Sequence, residues 1–335
     1  MFMFWQSLLK SVDNVFRLFS PYIKRRKIKG NKGAKILIIR PGGGGDAILL
    51  TPALKMFKEN LPNSEIHFLG EKRNIDFAKF CYGDIIEQFF VYDSFSFPFF
   101  VMKNLGRYDF VLDTEQFFVL PAIFARILGK ASIGFSTKAH ILDFSLDYFH
   151  FSFEAFEFFR LFYFAMSIIS GSPDSDMKKI DEEFQNYFPI SISGLKNYDV
   201  DVLVAPFTTK KEKIYDRFRE ITESLSKKYK IVVLGEKKID IYELFSLVNS
   251  AKLFVGVDNA ILHIAELLGK PSVAIFGPTN HLKWAYTKNT VVVRSNTWCS
   301  PCSYFAEISR CPRNVECMKR IEPSMVISIV ESLLN

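Results

Sequence analysis

The chain has 335 residues, of which 49% are hydrophobic, enough for two cores at roughly 100–200 residues per domain, and this excludes a disordered chain. Five cysteines are too few for a disulfide framework at this length. The formal charge of +7 is concentrated at the N-terminus: residues 1–40 carry ten Lys/Arg against the single acid Asp13, and the rest holds 33 bases and 35 acids. A near-neutral body argues against nucleic-acid binding.

Residues 2–23 place Phe4, Trp5, Leu8, Leu9, Val12, Val15, Phe16, Phe19 and Ile23 at helical spacing. The run Lys24-Arg25-Arg26-Lys27 follows. Such a helix either lies on an anionic membrane surface or packs on the body, and amphipathicity alone does not separate the two. The first ten residues lack the basic start of a secretory signal. No uninterrupted apolar run reaches ~18 residues, so a transmembrane helix is not expected; the expected compartment is the cytoplasm. After a linker at residues 30–34, Lys35–Arg40 reads as a buried strand, followed by Pro41, four glycines and a helix beginning near Asp46. Strands are predicted at Glu65–Leu69, Ile85–Tyr92 and Phe110–Asp113, with a helix at Asp76–Phe80. The alternation predicts a parallel α/β sheet.

Polar residues 171–198 mark the passage between domains, and a second series follows. Its predicted strands are Val200–Ala205, Lys230–Leu234, Leu253–Val257 and Ser272–Phe276. Its predicted helices are Lys211–Lys228, Asp240–Ser250 and Asn259–Leu268, the last stopped by Gly269 and Pro271. The expected organisation is an N-terminal helix and linker (1–33), a Rossmann-like domain (34–175), a passage (176–198) and a second Rossmann-like domain (199–335). Two doubly wound domains would face each other across a cleft, with ligands at the carboxyl ends of the strands.

Three strand-to-helix loops carry candidate chemistry. Gly42, Gly43, Gly44 and Gly45 precede Asp46 and Ala47. Glycines there let a ligand approach the backbone, and Gly42–Ala47 spells the dinucleotide pattern G-x-G-x-x-A. Asp46 would sit awkwardly beside a pyrophosphate; it is either a helix-start carboxylate or a general base. The second loop holds Thr208, Thr209 and Lys213, which offer hydroxyl, amide and ammonium donors to phosphate oxygens; the plainer reading is a capped helix with a solvated face. The third runs through Asp258, Asn259, Ala260 and His263, as ligand groups or as an N-cap and a packed histidine. Cys299, Cys302, Cys311 and Cys317 suggest structural zinc or locally packed thiols. Their irregular spacing and missing second C-x-x-C favour the thiols, so no metal is assigned.

The stretch Ile36–Leu54, with Tyr108–Asp113, Ile133-Gly134-Phe135, Phe254–Asp258, His263 and Leu268–Thr279, resembles glycosyltransferase family 9, the ADP-heptose:lipopolysaccharide heptosyltransferases. The cysteine tail ending Cys317–Pro323 is similar to that of many members. This resemblance implies an α/β GT-B fold, with the acceptor on the N-terminal domain and the nucleotide sugar on the C-terminal one. Asp46 matches the catalytic base, and Thr208, Thr209 and Lys213 match the donor-diphosphate residues. Asp258 matches the donor-site aspartate, with Asn259, Ala260 and His263 beside it, and Glu236 matches a ribose carboxylate. Two departures stand out: Gly44 replaces a bulky aliphatic residue, and Asn259-Ala260 stands where a small hydroxyl residue and Gly are common.

The expected activity is inverting, metal-independent transfer of a heptose from an ADP-sugar to a lipopolysaccharide core. It needs no cofactor and no nucleic acid, and it would run at the cytoplasmic face of the inner membrane, held there by residues 2–27. The alternatives are a nucleotide-cofactor oxidoreductase using Gly42–Ala47, and a non-enzymatic zinc or nucleic-acid-binding module.

Overall fold

The computed structural model describes residue 26 and residues 33–171, 179–235, 238–303 and 308–335. The predicted N-terminal helix and Glu236 lie outside these residues. The described chain divides into two units. One holds the residues up to Phe149 together with Ala155–Tyr187; the other holds His150–Glu154 and the chain from Phe188 onward.

The first unit is built on six parallel strands: β1 (Lys35–Ile39), β2 (Glu65–Gly70), β3 (Gln88–Val91), β4 (Tyr108–Asp113), β5 (Gly129–Phe135) and β6 (Phe144–Leu146). Their spatial order is β3-β2-β1-β4-β5-β6. Ile36, Leu37, Ile38 and Ile39 of β1 are fully buried, as expected of a central strand covered on both faces. The order reverses beside β1, between β2 and β4, and a doubly wound sheet leaves a crevice at the carboxyl ends there. The loop Arg40–Gly43 and the start of the helix Gly44–Leu49 occupy that position.

The second unit has β7 (Val202–Ala205), β8 (Ile231–Val233), β9 (Leu253–Val257), β10 (Ser272–Ile275) and β11 (Thr290–Val293), all parallel. Their order is β11-β10-β9-β7-β8, so the reversal falls at β7 beside β9. The loops after these strands begin at Pro206 and Asp258, two of the three regions singled out in the sequence.

One predicted helix differs, and one helix was not predicted. The helix expected over Lys211–Lys228 begins only at Phe218 and ends at Leu225; Lys211–Lys213 forms one 3₁₀ turn that exits extended at Ile214. Tyr215 is buried, and its hydroxyl donates to the Ile321 carbonyl at 2.9 Å. That anchor holds the chain out of helical geometry until Phe218, Ile221 and Leu225 start a buried stripe. The helix Glu154–Ser170 has no counterpart among the predicted elements. Glu157, an apparent interruption, is buried in an ion pair with Arg160 at 2.7 Å, so the charges sit inside the helix rather than ending it. No helix among the described residues is long and apolar enough to cross a membrane.

Candidate functional site

In the first unit, Asp46 occupies the third position of the helix Gly44–Leu49. Its Oδ2 accepts the Gly43 N–H at 2.7 Å, and its Oδ1 pairs with Arg40. Gly42 makes this fold-back possible. It sits at φ +127°, and a Cβ there would lie 2.5 Å from Asp46 Oδ2. Arg40 is buried, donates to the Thr114 carbonyl at 2.8 Å and to Gln116 Oε1 at 3.3 Å, and lies 4.7 Å from the Phe158 ring centre. Burial pushes the Asp46 carboxyl up, but the Arg40 charge and the Gly43 amide outweigh it and hold it below the usual carboxylate range. It is therefore ionised at neutral pH and about one-fifth exposed.

Gly42 donates its N–H to Glu71 Oε1 at 3.1 Å. Asn74 fixes the turn, donating to the Arg40 carbonyl at 3.0 Å and accepting the Glu71 N–H at 2.9 Å. The Gly42 and Gly43 amides are thus taken by carboxylates, whose charge argues against a pyrophosphate at Gly42–Ala47. Gly44 has its own reason to lack a side chain: a Cβ there would meet the Phe77 ring at 2.5 Å. Phe77 fills the space that a bulky residue at position 44 would need.

In the second unit, Asp258 follows β9 and is buried. Its Oδ2 pairs with Lys213 Nζ at 3.2 Å, so the structure joins the loops after β7 and β9. Asn259 caps the helix Ala260–Leu267, accepting the Ile261 and Leu262 amides at 2.9 and 3.1 Å, and its Nδ2 donates to the Phe207 carbonyl at 3.0 Å. Ala260 is the first helical residue. The His263 ring lies between two carboxylates, Nε2 4.0 Å from Asp258 Oδ1 and Nδ1 3.3 Å from Glu266 Oε2. Glu266 is fixed in turn by the Tyr286 amide at 2.7 Å and the Thr290 hydroxyl at 2.9 Å.

Thr208 accepts the Lys210 N–H at 3.3 Å. Among the described residues, no hydrogen bond joins Thr208 or Thr209 to the Lys213–Asp258 pair. Because the helix starts only at Phe218, Thr208–Lys213 presents no helix N-terminus; its donors are loop amides, hydroxyls and Lys213.

Several residues at these two sheet edges were not anticipated. Arg40, Glu71, Asn74 and Gln116 surround Asp46, and the Arg-Pro-Gly start after a strand was their one local signal. In the second unit, Lys283 pairs with Glu154 at 3.3 Å, both buried. Among the described residues, the Thr279 hydroxyl is buried with no hydrogen-bond partner. Asp199-Val200-Asp201 is an Asp-x-Asp triplet, so the expectation of metal-independent transfer cannot rest on the absence of such a motif. The triplet lies at the amino end of β7, opposite the ligand edge, with Asp199 paired to Lys230 and Asp201 to Lys252 at 2.7 Å.

Cys299, Cys302, Cys311 and Cys317 are free thiols lining one small pocket with Glu212 and Arg313. No group of three His, Cys, Asp or Glu side chains among the described residues is arranged to hold a metal ion. Burial and the neighbouring thiols push Cys317 up to about 11. Arg26, from the basic run, is committed to the first unit: it pairs with Asp143 at 2.9 Å and donates to the Gly129 carbonyl at 2.8 Å.

Residues 196–310 match the model of Glycosyltransferase family 9 (heptosyltransferase). Lipopolysaccharide heptosyltransferase 3 of Escherichia coli is 31% identical over 97 residues, covering 29% of this chain and 28% of that protein. The match therefore spans less than a third of that relative. Among solved structures, E. coli heptosyltransferase WaaC with ADP-2-deoxy-2-fluoro heptose superposes with a TM-score of 0.61 at 17% identity, covering 89% of this chain and 99% of that one. The family 9 glycosyltransferase of Veillonella parvula gives 0.61 at 17%, over 90% and 97%. Residues 196–310 thus resemble glycosyltransferase family 9 in sequence, and the chain shares the two-sheet GT-B fold of the solved heptosyltransferases.

Proposed function

We propose that this protein transfers a heptosyl unit from ADP-heptose to a hydroxyl of a lipopolysaccharide core, with inversion, Asp46 acting as general base. The first unit takes the acceptor and the second the donor. Asp46 accepts the proton of the attacking hydroxyl as its oxygen bonds to the anomeric carbon. The bond from that carbon to the diphosphate breaks, and ADP leaves. General-base assistance of this kind contributes about 10²–10⁴-fold. Lys213, with the Thr208 and Thr209 hydroxyls, neutralises the departing diphosphate, and Asp258 holds Lys213 in place. Ala260, next to Asn259, lets the donor approach the backbone; Glu236 would reach the ribose. The enzyme works at the cytoplasmic face of the inner membrane, with residues 2–27 as one contact, without a metal or nucleic acid.

The observation that carries this reading is the Lys213–Asp258 pair at the carboxyl edge of the unit bearing the family match. WaaC, with the same fold, has been solved with ADP and with an ADP-heptose analogue. Calorimetric titration with ADP-heptose, ADP, UDP-sugars and NAD(P)H tests the donor half. Selective binding of the first two, weakened by Lys213→Ala, is expected. Binding of NAD(P)H alone would hand the site to the oxidoreductase. Asp46→Asn should keep donor affinity and lose transfer, and unchanged turnover would remove Asp46 from the mechanism.

A further inference from the structure

The helix Phe97–Asn104 has two apolar faces. Phe97 and Phe100 are buried in the first unit's core, where Phe97 packs on Tyr92 and Phe124 with ring centres 4.8 and 4.9 Å apart. The opposite side should be polar in a helix of a water-facing surface. Instead Phe99 is 70% exposed, Met102 62% and, just past the end, Leu105 55%, with Pro98 exposed beside them. Elsewhere among the described residues, exposed large apolar side chains occur in ones and twos.

Charge completes the pattern. From Ser94 to Tyr108 there is no Asp or Glu, but there are Lys103 and Arg107, both exposed. Lys72 stands exposed at the end of β2, its backbone N–H tied at 2.9 Å to Asp93, the residue just before this stretch. Among the described residues the side chains of these three bases pair with no carboxylate, whereas Lys130 nearby is neutralised by Asp109 at 2.8 Å. An exposed apolar face accompanied by the exposed, unpaired bases Lys72, Lys103 and Arg107 fits an anionic lipid surface better than a protein surface of mixed charge. The helix also begins just after β3, at the same carboxyl sheet edge as Asp46.

We infer that the exposed face of Phe97–Asn104, with Leu105, Lys72, Lys103 and Arg107, seats the protein on an anionic bilayer, Phe99 and Met102 entering the headgroup boundary. This rests on the proposed function only in that a lipid-anchored acceptor would then lie near Asp46. None of these residues belongs to the stretch 2–27.

The test is flotation of the full chain with vesicles of phosphatidylethanolamine and phosphatidylglycerol, and with phosphatidylcholine alone. Phe99→Ser with Met102→Ser should cut partitioning by about tenfold or more. Lys103→Ala and Arg107→Ala should each cost about fivefold on anionic vesicles and little on phosphatidylcholine. Leu333→Ser, an exposed apolar change in the second unit, serves as control and should change nothing. Equal flotation of Phe99→Ser/Met102→Ser and wild type would overturn the assignment. So would a wild type that ignores vesicles but sediments as a dimer that the double variant breaks, since the face would then join two copies. ADP-heptose binding, measured on the same samples, keeps the two readings apart. Donor binding with no wild-type flotation sinks the surface and leaves the donor assignment standing; flotation that Phe99→Ser/Met102→Ser loses, without donor binding, supports the surface and sinks the donor assignment.

Discussion

Replacing Arg40 by Met should weaken the first unit in a pH-dependent way. Arg40 is almost fully enclosed and Asp46 about one-fifth exposed. In wild type the carboxyl sits below its ordinary value because Arg40 and the Gly43 amide together outweigh burial. A carboxyl depressed on folding contributes stability that is present above its unfolded pKa and lost as pH falls through the folded one. Without Arg40 the largest lowering influence is gone, so the carboxyl rises relative to wild type while the Gly43 amide and the Arg73 charge still lower it. The ionised carboxyl then contributes less stability at neutral pH than in wild type, and the difference closes as the carboxyl protonates.

Breaking a buried pair by removing one partner costs about 3–5 kcal/mol. The partial exposure of Asp46 puts the neutral-pH loss near the lower end, about 3 kcal/mol, or roughly 6–12 °C in Tm for a unit of this size. Below the carboxyl range the remaining loss is the unmade bond to the Thr114 carbonyl, about 1–2 kcal/mol. Urea unfolding of wild type and variant from pH 2.5 to 7 should show the gap narrow as the pH falls through and below the ordinary carboxylate range. A constant gap, or one under about 1 kcal/mol at pH 7, would refute the pairing argument. If Asp46 is the base, the acid limb of kcat/KM should also move to higher pH in the variant.

Gly44→Met should destabilise by driving its side chain into Phe77, by about 1–3 kcal/mol; Gly44→Met with Phe77→Ala should recover much of the loss in thermal melts. Lys138→Met leaves Asp113, fully buried and pushed up to about 6 by burial despite Lys138, without its partner; about 3–5 kcal/mol should be lost at pH 7. Asp113→Asn combined with Lys138→Met should restore most of it in a double-mutant cycle. Asn259→Ala removes the cap of Ala260–Leu267 and the tie to Phe207, so it should lower stability by about 1 kcal/mol and weaken ADP binding, both readable in one calorimetric series. Cys317, at about 11, has roughly one thiolate in a thousand at pH 8, so iodoacetamide should label it far more slowly than an unperturbed thiol. Mass spectrometry of timed samples would decide, and rapid labelling would contradict the packed pocket.

What the sequence made legible was local. An apolar run ending in Pro-Gly or Gly-x-Asp marks a buried parallel strand and its loop, so β1, β9 and the loops at Asp46 and Asp258 could be read directly. Lys213 was expected within a helix over Lys211–Lys228, where the chain makes only one 3₁₀ turn before Phe218. The spacing of Phe218, Ile221 and Leu225 extends backward on paper through Tyr215 and Lys211, and only the bond from Tyr215 to Ile321, 106 residues away, stops it.

Arg40 was counted as one charge of a basic N-terminus. Its partners include Thr114 and Gln116, more than seventy residues on, and pairing of β1 with β4 brings them together. The same holds for Phe77 beside Gly44, for Lys138 beside Asp113 and for Lys283 beside Glu154. Position 44 shows what this does to a motif. As a letter, glycine there is a departure from the family pattern; in space, a phenylalanine from the following helix Ile75–Tyr82 takes the volume. The loop keeps its packing while its local spelling changes, so Asp46 can be held by Arg40 and Gly43 without the aliphatic neighbour that usually precedes it. A sequence comparison scores that exchange as a loss, whereas a double substitution at 44 and 77 would show whether it is a swap.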